Sequence, residues 1–139
     1  RSIQKQGHHI GCHSYQHELS FRFDEKTFKE DTQKAKRMIE DVTGEEVNAF
    51  RAPGFSITKN NVWALRSLAE MGFRYDCSMF PAPHDYGGMP SYGEGVPKRI
   101  DVGDGRIIKE FSDKYSSSNG QTYCFFRRWF LPVISLLAD

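Results

Sequence analysis

One hundred and thirty-nine residues, 38% apolar and 27% charged, are enough for one domain with its own core. Nineteen Lys and Arg against eighteen Asp and Glu leave a net charge of +1 with no run of one sign, so no nucleic-acid partner is expected. Cys12, Cys77 and Cys124 are odd in number and widely spaced, which argues against a disulfide framework and a thiolate zinc site, and the apolar run Trp129 to Ala138 is too short for a membrane span and carries Pro132.

The chain opens on Arg1-Ser2-Ile3 and stops within the apolar run Leu136-Leu137-Ala138-Asp139, so it is expected to be part of a longer protein. Arg1 to Gln6 suits the tail of a helix, with Gly7 as its left-handed cap. Gly7-His8-His9-Ile10-Gly11-Cys12-His13-Ser14-Tyr15-Gln16-His17 follows, holding four of the five histidines. Ile10 between small residues predicts a short buried strand at His8 to Cys12, with His13 and His17 on the loop or first helical turn after it. Two imidazoles four positions apart can converge on one divalent ion, and zinc is the natural guest. A catalytic zinc takes about three protein ligands, so the pair alone is an incomplete site. His8 is expected to pack structurally and His9 to be exposed.

Asp24 offers an N-cap, and Phe28, Ala35, Met38, Ile39 and Val42 recur at helical spacing opposite Lys26, Lys29, Glu30, Lys36 and Arg37, which predicts an amphipathic helix over 25–43 stopped by Gly44. Val47 to Arg51 reads as a short strand ending in the loop Arg51-Ala52-Pro53-Gly54-Phe55. Thr58 caps a second helix whose stripe is Val62, Leu65, Leu68 and Ala69, ending at Gly72. Phe73 to Phe80 is a third strand. Strand, helix, strand, helix, strand is the signature of a parallel α/β sheet or barrel.

From Pro81 to Pro97 the chain is a Pro- and Gly-rich loop carrying His84, the only histidine outside the cluster. Arg99 to Val102 and Arg106 to Phe111 flank Gly103-Asp104-Gly105, a hairpin signal. Ser112 to Gln121 reads as polar loop, and Tyr123 to Leu137 is open between helix and strand.

Gly7-His8-x-Ile10-Gly11-x-His13-Ser14-x-x-His17, then Arg51-x-Pro53, then Tyr75-Asp76, in this order, resembles the polysaccharide deacetylases of the NodB-homology group, carbohydrate esterase family 4, over about residues 1 to 100. Arg51 to Thr58, Phe73 to Ser78 and His84-Asp85-Tyr86-Gly87 look most like the branch linked to exosortase and exopolysaccharide loci. The resemblance implies a distorted (β/α) barrel with fewer strands than eight, of which residues 1–139 would be a part lacking amino-terminal strands and a carboxy-terminal portion. It also implies hydrolysis of N-acetyl groups on a polysaccharide with a divalent metal, most readily zinc, on His13 and His17, the Ser14 hydroxyl steadying their loop.

By the same resemblance Arg51 orients the catalytic carboxylate, the Gly54 N–H faces the oxyanion, and Pro53, Phe55 and Asp76 belong to the substrate groove. Without it, Arg51 reads as a surface arginine at a strand end. The family's Asp-Asp pair, which supplies a metal ligand and the base, has no counterpart in the sequence, and neither does its Leu-x-His acid, for which His84 is the candidate replacement. The chain alone is therefore expected to be inactive. An amidohydrolase of small amides and a non-catalytic sugar-binding module remain the rival readings.

Overall fold

The computed structural model describes residues 2–83, 85–93, 96–112, 114–118 and 121–125, with residue 2 and the last two segments as backbone only. Its centre is a four-stranded sheet. Strand β1 (Ala49–Phe50) pairs in parallel with β2 (Tyr75–Asp76), β2 pairs in parallel with β4 (Arg106–Glu110), and β3 (Lys98–Gly103) closes the far edge antiparallel to β4. On the near edge Cys12 forms an isolated parallel bridge with Phe50, made by Cys12 N–H to the Ala49 carbonyl at 2.8 Å and Arg51 N–H to the Cys12 carbonyl at 3.0 Å.

Helix α1 (Ser2–Lys5) comes first, α2 (Glu25–Thr43) links Cys12 to β1, and α3 (Trp63–Glu70) links β1 to β2. The parallel order and both crossovers stand as expected, and the strands are shorter. His8 to Cys12 contributes only the Cys12 bridge, Val47 to Arg51 only two residues, and Phe73 to Phe80 only Tyr75 and Asp76. Asn48 shows why: its carbonyl takes both Arg74 N–H (2.8 Å) and Tyr75 N–H (3.0 Å), so the ladder begins only beyond it.

Helix α2 has the predicted bounds. The Asp24 carboxylate accepts from Thr27 N–H at 2.7 Å, and Gly44 takes the left-handed conformation (φ 73°) that ends the helix. Its buried face differs from the expected stripe. Phe28, Asp31, Thr32, Ala35 and Lys36 face inward, while Met38 and Val42 are 43% and 60% exposed. Lys36 turns inward because its ammonium donates to the Glu40 carboxylate (2.9 Å) and to the Val47 carbonyl, so it enters as a satisfied charge.

Helix α3 starts later than its supposed cap. Thr58 N–H and hydroxyl both donate to the Asn61 side chain at 2.8 Å, forming a turn ahead of the helix, and Val62 occupies the cap position. The carboxyl end follows expectation: Gly72 N–H bonds Ala69 (3.1 Å) and Phe73 N–H bonds Leu68 (3.0 Å), the paired bonds of a left-handed glycine stop at φ 87°.

Packing rests on edge-to-face rings joining the elements. Phe28 of α2 meets Phe50 at 5.9 Å and Trp63 at 5.6 Å, and Phe50 meets Phe73 at 5.7 Å. Around the rim, Lys29 pairs with Glu25 (2.9 Å) and Glu70 (2.7 Å), which ties α2 to α3.

The hairpin turns at Asp104-Gly105, both at positive φ (54° and 72°), as a tight two-residue connection requires. Ser112 to Gln121 departs from the loop expected there, since β5 (Lys114–Ser118) pairs antiparallel with β6 (Gln121–Phe125). The part of Tyr123 to Leu137 beyond Phe125 lies outside the described residues. No helix among the described residues is long and apolar enough to cross a membrane.

Candidate metal and active site

Parallel strands release their chains at one end of the sheet, and the motif residues gather there. The segment leaving Cys12 is a loop and not a helical turn, because Ser14 (φ 64°) and His17 (φ 56°) both adopt the left-handed region. Three contacts hold it there. The His17 N–H donates to Ser14 Oγ at 2.9 Å, and the Asp31 carboxylate accepts Tyr15 N–H on Oδ2 and Gln16 N–H on Oδ1, each at 2.9 Å. Lys34, one turn further along α2, sets its ammonium 3.8 Å from the centre of the Tyr15 ring. The Ser14 hydroxyl thus has the steadying position expected of it.

His13 and His17 come together, ring centroids 4.9 Å apart and planes at 67°. The Nδ1–H of His13 donates to the Arg51 carbonyl at 2.7 Å, which leaves its Nε2 with a lone pair. Burial, with smaller contributions from His17 and Arg51, lowers the His13 pKa, opposed by the bond to Arg51; the net effect favours the neutral, ligating imidazole. The adjacent Cys12 is a different case: burial pushes its thiol to about 12, so it stays protonated and packs as core.

The imidazole nitrogens of His13 and His17 are of the donor type a zinc-like ion takes. Among the described residues no group of three or more His, Cys, Asp or Glu side chains is placed to hold one.

The Arg51 to Phe55 loop lies beside this pair. The Arg51 guanidinium sits over the Phe55 ring at 4.6 Å, and Phe55 leans on Phe80 at 5.1 Å. Gly54 takes φ 61°, and a Cβ there would come within 2.8 Å of Leu19 Cδ2 and 2.9 Å of Tyr86 Cβ, so this position has no room for a side chain. Tyr86 and Gly87 pack directly onto the loop, and Gly88 N–H donates to the Phe55 carbonyl at 3.0 Å. His84 lies outside the described residues.

Asp76 and Pro53, two of the residues expected in the substrate groove, are buried. Asp76 is 0% exposed, and Pro53 is also fully buried. Asp76 instead bonds inward: Ser78 Oγ donates to its Oδ1 at 2.6 Å, Ser78 N–H to its Oδ2 at 3.1 Å, and the Glu110 carboxyl, its register partner on β4, is hydrogen-bonded to it. Desolvation by burial is the leading cause and raises the Asp76 pKa, opposed by its hydrogen bonds to Glu110 and Ser78. Phe55 is half-buried and keeps an accessible part. His8 is exposed instead of packed, while exposed His9 bonds the Asn48 side chain at 2.9 Å.

Asp31, Ser78 and Glu110 were not anticipated. Only Asp31 left a trace in the sequence, as a carboxylate within the apolar stripe of α2. A cleft of about 510 Å³ lined by Lys29, Gln33, Lys34, Arg37, Met38 and Met71 contains none of the histidines, so cavity shape does not locate the site.

The family model for polysaccharide deacetylase matches residues 1–75, and the chain belongs to that family. A crystal structure from Mycobacterium smegmatis, of a protein with the provisional name polysaccharide deacetylase, superposes with a TM-score of 0.64 at 28% identity, covering 80% of this chain and 33% of that one. This chain thus spans about a third of that protein's length. No curated protein matches. The sheet with its two helical crossovers is consistent with part of the NodB-type barrel.

Proposed function

We propose that the chain supplies two histidine ligands of the metal site of an enzyme that removes N-acetyl groups from a polysaccharide. The observation that carries this is the convergence of His13 and His17, with His13 Nδ1–H committed to the Arg51 carbonyl and its Nε2 left to bind. Amide hydrolysis needs an activated water, a place for the oxyanion and a proton for the departing amine. A zinc ion on the two histidines would lower the pKa of its water and polarise the carbonyl.

The chain's own residues serve the remaining needs. Gly54, held in its turn with Leu19 and Tyr86 packed where a side chain would be, would offer its backbone N–H to the oxyanion. Arg51, whose guanidinium lies over the Phe55 ring, would orient a carboxylate through charge-assisted hydrogen bonds. The accessible part of Phe55 offers an apolar face to a sugar ring, and His84 is the candidate acid. The catalytic base and third metal ligand have no counterpart in these residues, and groups that act as a unit fail together.

Calorimetric titration with zinc tests the reading. The 139-residue chain should bind one zinc weakly and lose that binding in His17→Ala; equal affinity in the variant would overturn the assignment. In an acetate-release assay on chito-oligosaccharides, the chain alone should show no turnover, and joined to a segment that supplies the Asp-Asp pair it should show turnover that His13→Ala abolishes. Protection from unfolding by small amides but not by chito-oligosaccharides would instead favour the small-amide hydrolase.

A further inference from the structure

The peptide unit joining Arg51 to Ala52 is bonded on both sides. Its carbonyl accepts from His13 Nδ1 at 2.7 Å, and its N–H donates to Ser78 Oγ at 2.8 Å. The Ser78 hydroxyl in turn donates to Asp76 Oδ1 at 2.6 Å. Read in order, His13, the peptide, the Ser78 hydroxyl and the Asp76 carboxyl form one chain of donors and acceptors all pointing the same way. Ala52, Ser78 and Asp76 are all buried, at 1%, 0% and 0% exposure, so water does not screen the two bonds that Ser78 makes, while the His13 bond is partly buried. In such surroundings successive hydrogen bonds polarise one another. Pull on the Ser78 hydroxyl makes its oxygen a better acceptor for Ala52 N–H, and that in turn makes the Arg51 carbonyl a better acceptor for His13.

Histidines that hold metals commonly give their second N–H to a carboxylate or a backbone carbonyl, which sets the tautomer and raises the basicity of the ligating nitrogen. We propose that Asp76 and Ser78 are positioning residues for His13, acting through the Arg51–Ala52 peptide as a carboxylate–histidine pair with a hydroxyl and a peptide bond interposed. This rests on His13 being a metal ligand. The placement also explains why a carboxyl and a hydroxyl are kept in the dry end of β2: they are spent on the peptide that carries the ligand's partner.

The test uses the whole 139-residue chain, metal-free, with ¹⁵N-labelled histidine, at about pH 8, above the ordinary histidine range. Long-range ¹H–¹⁵N correlation should find the His13 proton on Nδ1. In Ser78→Ala the Nδ1 proton should move upfield and exchange faster with solvent, and zinc affinity, measured by chelator competition, should drop about tenfold. Ser78→Thr, which restores a hydroxyl, should return both toward the parent. Asp76→Asn, which keeps the shape and replaces the carboxyl with a neutral amide, should fall between, and it decides the matter if Ser78→Ala does not fold. Ile108→Val, a fully buried truncation outside the chain of bonds, should change stability and neither readout.

Folded Ser78→Ala and Asp76→Asn with the parent's His13 signal and zinc affinity would overturn the proposal while leaving the metal reading intact. If instead His13→Ala binds zinc like the parent, the metal reading fails and takes this proposal with it.

Discussion

Asp31 does for the histidine loop what an N-cap does for a helix. Its two oxygens take the N–H groups of Tyr15 and Gln16, which point inward once Ser14 and His17 turn left-handed. Because the carboxylate is only 5% exposed, both are charge-assisted bonds in a dry setting. Asp31→Asn keeps the volume but turns one acceptor into a donor facing an N–H. We expect that variant to lose about 1–3 kcal/mol of stability in a urea titration. Zinc affinity should fall about tenfold, since the histidines would lose their fixed approach. Parent-like zinc affinity would mean that Ser14 alone holds the loop.

The site is assembled by loops at the strand ends, and their packing is tight enough to read from glycines. A Cβ at Gly87 would lie 2.2 Å from the Phe55 carbonyl oxygen, whereas one at Gly72 meets nothing within 4 Å and only the left-handed backbone (φ 87°) resists it. Gly72→Ala should therefore cost about 1–2 kcal/mol, the penalty of that conformation alone. Gly87→Ala should cost more, above about 2 kcal/mol, because backbone must move and the Gly88 to Phe55 bond goes with it. Paired urea titrations give the comparison; equal losses would show that Tyr86 to Gly88 is not seated on the Arg51–Phe55 loop.

For the whole molecule, two buried groups tilt stability with pH in opposite directions. The His13 pKa is lowered below 6.5, so as pH falls through 6.5 the unfolded chain takes up a proton first and stability declines toward the folded pKa. The Asp76 pKa is raised above 3.8, so its contribution is full below 3.8 and is lost as pH rises through the folded value. Glu110→Gln leaves Asp76 a neutral partner whose amide donates to it and whose oxygen can still accept Met79 N–H, a bond of 3.0 Å in the parent. The variant should therefore fold and lose less stability than the parent as pH rises above 3.8. Urea midpoints measured along that rise decide this; parallel curves for the two proteins would show that the carboxyl pair does not titrate on unfolding.

What could be read from the sequence is what depends on local order. The bounds of α2 follow from Asp24 and Gly44, the turn from Asp104-Gly105, and the parallel strand order from two crossover-length helices. The pairing of His13 with His17 was legible because both lie on one short segment, and family motifs extended it to Arg51 and Gly54. Tertiary structure decided the rest, since it depends on residues far apart in the chain. Lys36 points inward because the Val47 carbonyl and Glu40 meet it there, against its helical period. Asp76, placed in the groove by motif alone, is drawn into the core by Ser78 and by Glu110 across the sheet. Asp31 and Ser78 could not be assigned in advance, because a carboxylate or hydroxyl acquires a role only when folding brings backbone donors to it. Spacing along a chain sets which side chains share a face, but only the packed fold sets what that face meets.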